Sequence, residues 1–187
     1  KKSDRGGAFQ ITSIVAKDAE TDGTNSFTEL AGAHGVSTFV IGSSTYAIVT
    51  SQTDSGVQII DISDPENIVA KDSATDGVNG FTMLSNALDV DTFTIGSSTY
   101  AIVVAYTDDG VQMIDISDTA NIVAKDAETD GSTFTELDGA RDVETFVIGS
   151  STYAIVVSWV DDGVQIIDIS DPTAIVAKDT ATDEVNG

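Results

Sequence analysis

The stretch Tyr153-Ala-Ile-Val-Val-Ser-Trp-Val-Asp-Asp-Gly-Val-Gln-Ile-Ile-Asp-Ile-Ser-Asp-Pro172 decides the fold of this chain. Two runs rich in β-branched residues flank Asp-Asp-Gly, which is typical of a β-hairpin, and the second run ends at a proline that removes a backbone donor. Closely similar copies begin at Tyr46 and Tyr100, so the hairpin recurs at intervals of 54 and 53 residues. A period of this length indicates a repeat architecture.

Each repeat is expected to contain four short strands. One strand precedes the Gly-Ser-Ser turn, two form the hairpin, and a fourth lies in the Ile-Val-Ala-Lys-Asp string that begins at Ile14, Ile68, Ile122 and Ile175. No segment has the 3.6-residue apolar period of an amphipathic helix. Four antiparallel strands at this period are typical of a β-propeller blade, whereas the rungs of a β-solenoid, the runner-up, are normally shorter.

The sequence therefore predicts an all-β chain of three blades. The predicted units are a leader with an extra N-terminal outer strand (residues 1–26) and blade repeats 27–80, 81–133 and 134–187. Each blade repeat is predicted to form one sheet of four antiparallel strands.

Three segments of the last repeat resemble the LVIVD-repeat family of β-propellers: Ala140-Arg-Asp-Val, Tyr153-Ala-Ile-Val and Asp162-Gly-Val-Gln-Ile-Ile-Asp-Ile-Ser-Asp-Pro172. The resemblance recurs over residues 27–187. It departs where Thr119 replaces the proline and where the first repeat has His34-Gly35. The resemblance implies the propeller fold and an extracellular or cell-surface location, and it implies no catalytic residues.

Composition excludes several classes of function. The 187 residues include 8 Lys+Arg and 31 Asp+Glu, so the formal net charge is −23, which makes nucleic acid a poor partner. Cysteine is absent, which excludes disulfides and thiolate metal sites, and histidine occurs only once. No apolar run is long enough for a transmembrane helix, so no membrane insertion is expected.

Three blades are too few to close a ring, because propellers close with about four to eight blades. An open arc leaves an apolar face and unpaired strand edges at each end, and both favour association. Either two chains join as a homodimer with a six-bladed ring, or the sequence is a fragment of a longer protein. In the dimer, a strand around residues 11–17 is expected to complete a blade of the partner as a closing strap.

One rim of the arc is expected to be acidic, because the hairpin turns and the blade-to-blade connections of a four-stranded blade emerge together. This rim collects Asp22, Asp54, Asp76, Asp108, Asp109, Asp130, Asp161 and Asp162. In one interpretation these side chains accept backbone N–H groups within turns. In the other they bind Ca²⁺, which takes clustered carboxylate oxygens, and no other cofactor is expected. The candidate ligands are Asp108, Asp109, Asp161 and Asp162, although their spacing is not that of an EF-hand.

Most positions are nearly identical across the repeats, but two varying positions stand out. One precedes the first strand of each blade and holds His34, Leu88 and Arg141; the other ends the second strand and holds Gln52, Tyr106 and Trp159. Variation on a constant scaffold is typical either of ligand contacts or of drift at exposed positions. Aromatic rings can stack on a sugar or contact a cation. The candidate ligand-binding residues are His34, Gln52, Tyr106, Arg141 and Trp159.

Three functions remain open. The first is a non-enzymatic, extracellular or cell-surface module for protein interaction or self-assembly, in which a half-propeller completes a ring with a second chain. The alternative is a lectin-like propeller that binds a glycan, with or without Ca²⁺. The third is a glycoside-active enzyme, but carboxylates are so abundant that no pair is singled out.

Overall fold

The computed structural model describes residues 15–183, which form three sheets of four antiparallel strands and no helix. The first sheet contains β1 (Ala33–Ile41), β2 (Ser44–Ser51), β3 (Gly56–Asp61) and β4 (Val69–Thr75). The second contains β5 (Ala87–Ile95), β6 (Ser98–Ala105), β7 (Gly110–Asp115) and β8 (Val123–Thr129). The third contains β9 (Ala140–Ile148), β10 (Ser151–Ser158), β11 (Gly163–Asp168) and β12 (Val176–Thr182). Each sheet is called a blade below, and the predicted all-β architecture is confirmed.

Two hydrophobic cores hold the blades together. Each core joins the trailing face of one blade, which looks toward the C-terminal neighbour, to the leading face of the next blade. The first core packs Ile48 and Ile59 against Val103 and Ile114. The second core packs the corresponding residues of the second and third blades, Ile102 and Met113 with Val156 and Ile167. Within residues 15–183 no third core joins the first blade to the third, so the arc stays open.

Each hairpin turn has its positive φ at the residue before the glycine. These residues are Ser55, Asp109 and Asp162, with φ of 59°, 50° and 52°. The following glycines are required for another reason, because a Cβ on Gly56 would collide with the Glu29 carboxylate and the Ala74 carbonyl. Asp tolerates the left-handed region well enough to take the turn position.

A buried glutamine in the third strand of each blade stabilises that blade internally. In the second blade, Gln112 Oε1 accepts the Thr82 N–H at 3.0 Å, and Nε2 donates to the Asp126 carbonyl at 3.0 Å. Equivalent bonds are made by Gln58 and Gln165. The glutamine therefore ties the incoming connection of its blade to the outermost strand.

The predicted N-terminal outer strand is not formed where the structure describes it. Residues 11–14 lie outside the described range, and residues 15–17 are not in a strand. An outer strand pairs with the third strand of its own blade, and none precedes this segment within the described range. Asp18 Oδ2 still accepts the Ile68 N–H at 2.8 Å, and Lys17 Nζ lies 2.6 Å from Glu66 Oε1. The segment thus binds the outer corner of the first blade.

Candidate functional site

The hairpin turns and the connections between blades lie on the same rim, as predicted. Carboxylates of the hairpins accept N–H groups of the connections: Asp54 from Ala31 at 2.7 Å, Asp108 from Ser85 at 2.8 Å and Asp161 from Asp138 at 2.8 Å. Carboxylates of the connections close their own loops, as Asp76 does with the Leu84 N–H at 3.1 Å. We call this surface the acidic rim.

The two acids of the second hairpin have different roles. Asp108 binds the connection of its own blade, whereas Asp109 Oδ1 accepts the Gly139 N–H of the next blade at 2.9 Å. In the third blade Asp161 likewise binds the connection of its own blade, and no further blade lies beside Asp162 within residues 15–183. Because each of the two acids of the second hairpin accepts a different backbone N–H group, the arrangement agrees with the interpretation that these side chains bond to the backbone of turns.

Several carboxylates lie close together on the acidic rim between the second and third blades. Burial raises the pKa of Asp161, and the nearby carboxylates of Asp130, Glu136 and Asp109 raise it further. Burial likewise raises the pKa of Asp108, with Asp76 and Asp109 adding to the effect. Among residues 15–183, no group of three or more acidic or histidine side chains has the arrangement of a metal site. Ca²⁺ binding at these hairpins stays a prediction.

Three of the five predicted ligand-binding residues form an aromatic cluster at the same rim. The Tyr106 and Trp159 ring centroids are 6.4 Å apart at an interplanar angle of 46°. The Arg141 guanidinium carbon lies 4.2 Å from the Trp159 ring centroid, within cation–π range. Trp159 is 58% exposed, so one aromatic surface is held in place and open to solvent. The cluster spans two blades, because β6 ends before Tyr106 and β10 before Trp159.

The other two predicted residues occupy the equivalent places on the first blade. His34 Nδ1 lies 2.8 Å from the Leu88 carbonyl oxygen, so the imidazole bridges to the second blade. Gln52 is exposed, and its backbone N–H donates to the Gly32 carbonyl at 3.0 Å. A cavity of about 400 Å³ between the first two blades is lined by none of the predicted site residues.

The two open faces of the arc form a second kind of site. Position 157 is 46% exposed in the third blade, while its repeat equivalent Val104 is fully buried beneath the next blade. Position 36 is 62% exposed in the first blade, while its equivalent Val90 is 3% exposed. A shallow cavity of about 100 Å³ on the trailing face of the third blade is lined by Val164, Ile166, Asp179, Thr180 and Ala181. The positions that pack blades together are therefore uncovered at both ends.

A buried carboxylate was missed by the sequence reasoning. Glu29 Oε1 accepts the Thr75 hydroxyl, but Glu29 Oε2 lies over Gly56 without a hydrogen-bond partner. Burial raises the pKa of Glu29, with Asp54 and Asp22 adding to it and the Thr75 bond opposing it. Glu136 repeats the arrangement with Thr182. The second blade has Met83 at this position, and this Glu/Met alternation was a visible signal.

Comparison with solved structures shows a β-propeller fold. The exo-β-1,3-galactanase of Phanerochaete chrysosporium has a TM-score of 0.56 and 16% identity over 91% of this chain. The periplasmic gluconolactonase of Pseudomonas aeruginosa has a TM-score of 0.61 and 10% identity over 81%, and a protein from Lactobacillus plantarum has 0.55 and 12% over 73%. The chain is a half-propeller.

The half-propeller spans only about two fifths of each of these structures, 42%, 40% and 39% of their chains. At 10–16% identity the likeness is one of fold alone. No family model matches the sequence, and no curated protein matches it. The resemblance to LVIVD repeats stays a prediction. No helix in the described residues is long and apolar enough to cross a membrane.

Proposed function

We propose that the half-propeller is a non-enzymatic interaction module that binds a second copy of itself and forms a six-bladed ring, outside the cell or on its surface. The observation that carries this proposal is the exposure of Val157 and Val36, whose repeat equivalents are buried between blades. Uncovered apolar surface of this kind is an association site, since its removal from water is favourable. The two uncovered faces belong to the same repeating interface and so suit each other.

Blade number selects the stoichiometry. Two copies of a three-blade chain bring six blades, which lies within the range of about four to eight in which propellers close. One copy or three copies fall outside that range. The proposal therefore expects a mass of twice 19.4 kDa by size-exclusion chromatography with light scattering. A stable monomer at micromolar concentration overturns it.

Val157→Asp is expected to abolish this dimer, with an increase in dissociation constant of about 100-fold or more. The substitution places a charge in the interface without a partner, which costs several kcal/mol when it is desolvated. Position 157 faces solvent in the isolated chain, so the monomer should still fold. Analytical ultracentrifugation measures the dissociation constant, and circular dichroism checks the fold.

Val147→Asp is the matched control, because Val147 is 67% exposed and its equivalents Val40 and Thr94 are exposed in the other blades as well. This variant should dimerise like the unmodified chain. If Val157→Asp and Val147→Asp weakened the dimer equally, the contact between the two chains would not involve the positions that pack blades together. That result would contradict the proposal.

A second candidate function is glycan binding at the aromatic cluster. The observation that favours it is the assembly of Tyr106, Trp159 and Arg141 into one exposed surface. The Arg141 guanidinium lies over the Trp159 ring, and Trp159 stays 58% exposed, so the cluster offers aromatic surface to a sugar ring. One fold neighbour is a galactanase solved with β-1,3-galactotriose, which makes a β-1,3-galactan a reasonable first probe.

Trp159→Ala is expected to weaken glycan binding by about fivefold or more, since aromatic stacking contributes on the order of 1 kcal/mol. Val160→Ala, at an exposed neighbouring side chain, is the control and should bind normally. Glycan-array and calorimetric titrations with Ca²⁺ and with EDTA test metal dependence together with affinity. Normal binding by Trp159→Ala would remove the cluster from consideration, and turnover of the polysaccharide would favour the enzyme hypothesis.

A further inference from the structure

We infer that the second copy docks head to tail through a carboxylate seam, in which Asp142 and Glu144 accept the backbone N–H groups of Val36 and Thr38 of the other chain. This inference rests on the proposed self-assembly and specifies its direction and contacts. It makes the trailing edge of the third blade the acceptor and the leading edge of the first blade the donor.

The chain already contains this seam between its second and third blades. Asp89 Oδ2 accepts the Val143 N–H at 3.0 Å. Asp91 Oδ2 accepts the Thr145 N–H at 2.8 Å and the Thr145 hydroxyl at 2.6 Å. Two carboxylates on β5, the first strand of the second blade, thus bind backbone N–H groups of β9, the first strand of the third blade. Bonds of this kind, with a charged acceptor, are about twice as strong as neutral ones.

The residues that form this seam have repeat equivalents at the two open ends of the arc. Asp142 and Glu144 on β9 stand at the positions of Asp89 and Asp91 on β5. Both acids are exposed, because within residues 15–183 no blade packs against this side of β9. At the other end, Val36 and Thr38 on β1 stand at the positions of Val143 and Thr145, and both are exposed. Equivalents of the acceptors and donors of one seam therefore lie exposed at opposite ends of the part of the chain that the structure describes.

Charge makes the seam directional. Two trailing edges placed face to face would oppose carboxylates to carboxylates, which is repulsive in a chain of net charge −23. The carboxylates of Asp89 and Asp142 already repel each other within one chain. Burial raises the pKa of Asp89, and the adjacent Asp142 carboxyl raises it further. A second copy whose amides bind Asp142 relieves that repulsion.

The segment at residues 15–18 competes with the outer part of this interface. Asp18 binds the Ile68 N–H at 2.8 Å, the contact that Asp72 makes with Ile122 and Asp126 with Ile175. Asp179 is the next residue in this series, and its equivalent target is the Ile68 N–H of the second copy. Ring closure therefore requires Asp18 to leave Ile68.

Cysteine cross-linking tests the seam, because the chain has no cysteine of its own. The Ser37 and Thr92 hydroxyl oxygens are 2.8 Å apart across the first two blades, close enough for sulfur atoms to bond at about 2.0 Å. The same pair of positions across the proposed interface is Glu144 of one chain and Thr38 of the other. Under mild oxidation, the double variant Thr38→Cys/Glu144→Cys should form a covalent dimer on non-reducing gels.

Matched variants separate the outcomes. Ser37→Cys/Thr92→Cys should form the bond within one chain and keep its oligomeric state, which verifies the geometry. Neither Thr38→Cys nor Glu144→Cys alone should give a covalent dimer, since a head-to-tail contact joins different positions. Cross-linking by a single variant would indicate a face-to-face contact and overturn the inference. Adding Asp18→Ala to the double variant should speed cross-linking severalfold, and an unchanged rate would rule out the competition.

Light scattering and cross-linking together distinguish failure of the seam from failure of self-assembly. A dimer by light scattering that does not cross-link, while the internal control does, overturns the seam and leaves self-assembly standing. A monomer that does not cross-link at any concentration used overturns both.

Discussion

Gln112→Leu is expected to lower the free energy of unfolding by about 3 kcal/mol or more. Leucine has a similar volume but cannot accept the Thr82 N–H or donate to the Asp126 carbonyl, both 3.0 Å from the Gln112 amide. Gln112 is buried in the middle blade, where both sheet faces are covered. Each backbone group left buried and unpaired costs about 1–3 kcal/mol. Urea unfolding followed by circular dichroism measures the change.

Gln52→Leu is the control for this substitution, since Gln52 is exposed on the acidic rim and a surface change is expected to stay within about 0.5 kcal/mol. A loss below about 1 kcal/mol for Gln112→Leu would mean that water replaces the glutamine. The role of this residue in tying the connection to the outermost strand would then be wrong.

Glu29→Met is expected to stabilise the chain by about 1–2 kcal/mol at pH 7, because the buried Glu29 Oε2 has no hydrogen-bond partner. The second blade supplies the precedent, with the Met83 sulfur over Gly110 where Glu29 lies over Gly56. Thermal or urea unfolding of both proteins gives the difference. Glu66→Met, at an exposed ion pair with Lys17, should change stability little.

The gain from Glu29→Met should depend on pH in one direction. The folded state raises the pKa of Glu29 above the ordinary value of 4.5. A raised pKa means that the contribution of Glu29 to stability is complete below its unfolded pKa and is lost as pH rises through its folded pKa. The advantage of the Met variant should therefore shrink as pH falls from 7 toward 4. An advantage that grows on acidification would contradict a buried, hard-to-ionise carboxyl.

Much of the fold could be predicted from the repeats, because strand, turn and register signals are local. The hairpin from Tyr153 onward predicted β10 and β11, and the Ser-Asp-Pro end is where β11 stops. The acidic rim was also predictable, since turn position follows from strand order. Residues 15–17 of the predicted N-terminal outer strand form no strand in the single chain, because a strand needs a partner edge and local sequence does not supply one.

The site was predicted residue by residue but not as an arrangement. Variation between repeats singled out Arg141, Tyr106 and Trp159, yet it placed His34 and Gln52 beside them with equal weight. The structure joins the first three, because the second and third blades bring the ends of β6 and β10 to one place. Glu29 was not predicted, because an acid in a connection is normally solvent-exposed. It is buried here because Gly56 on β3 has no side chain and leaves room for the carboxylate.

The sequence by itself determined that this chain folds as three similar four-stranded sheets, since strand alternation, turn residues and a period of about 54 are properties of neighbouring residues. Only the tertiary structure decided which copies of each repeated residue are covered. Val90 and Val104 are buried while Val36 and Val157 are not, although the repeats give all four the same kind of setting. Burial depends on the blade that packs alongside, and the end blades of the described arc lack one neighbour each.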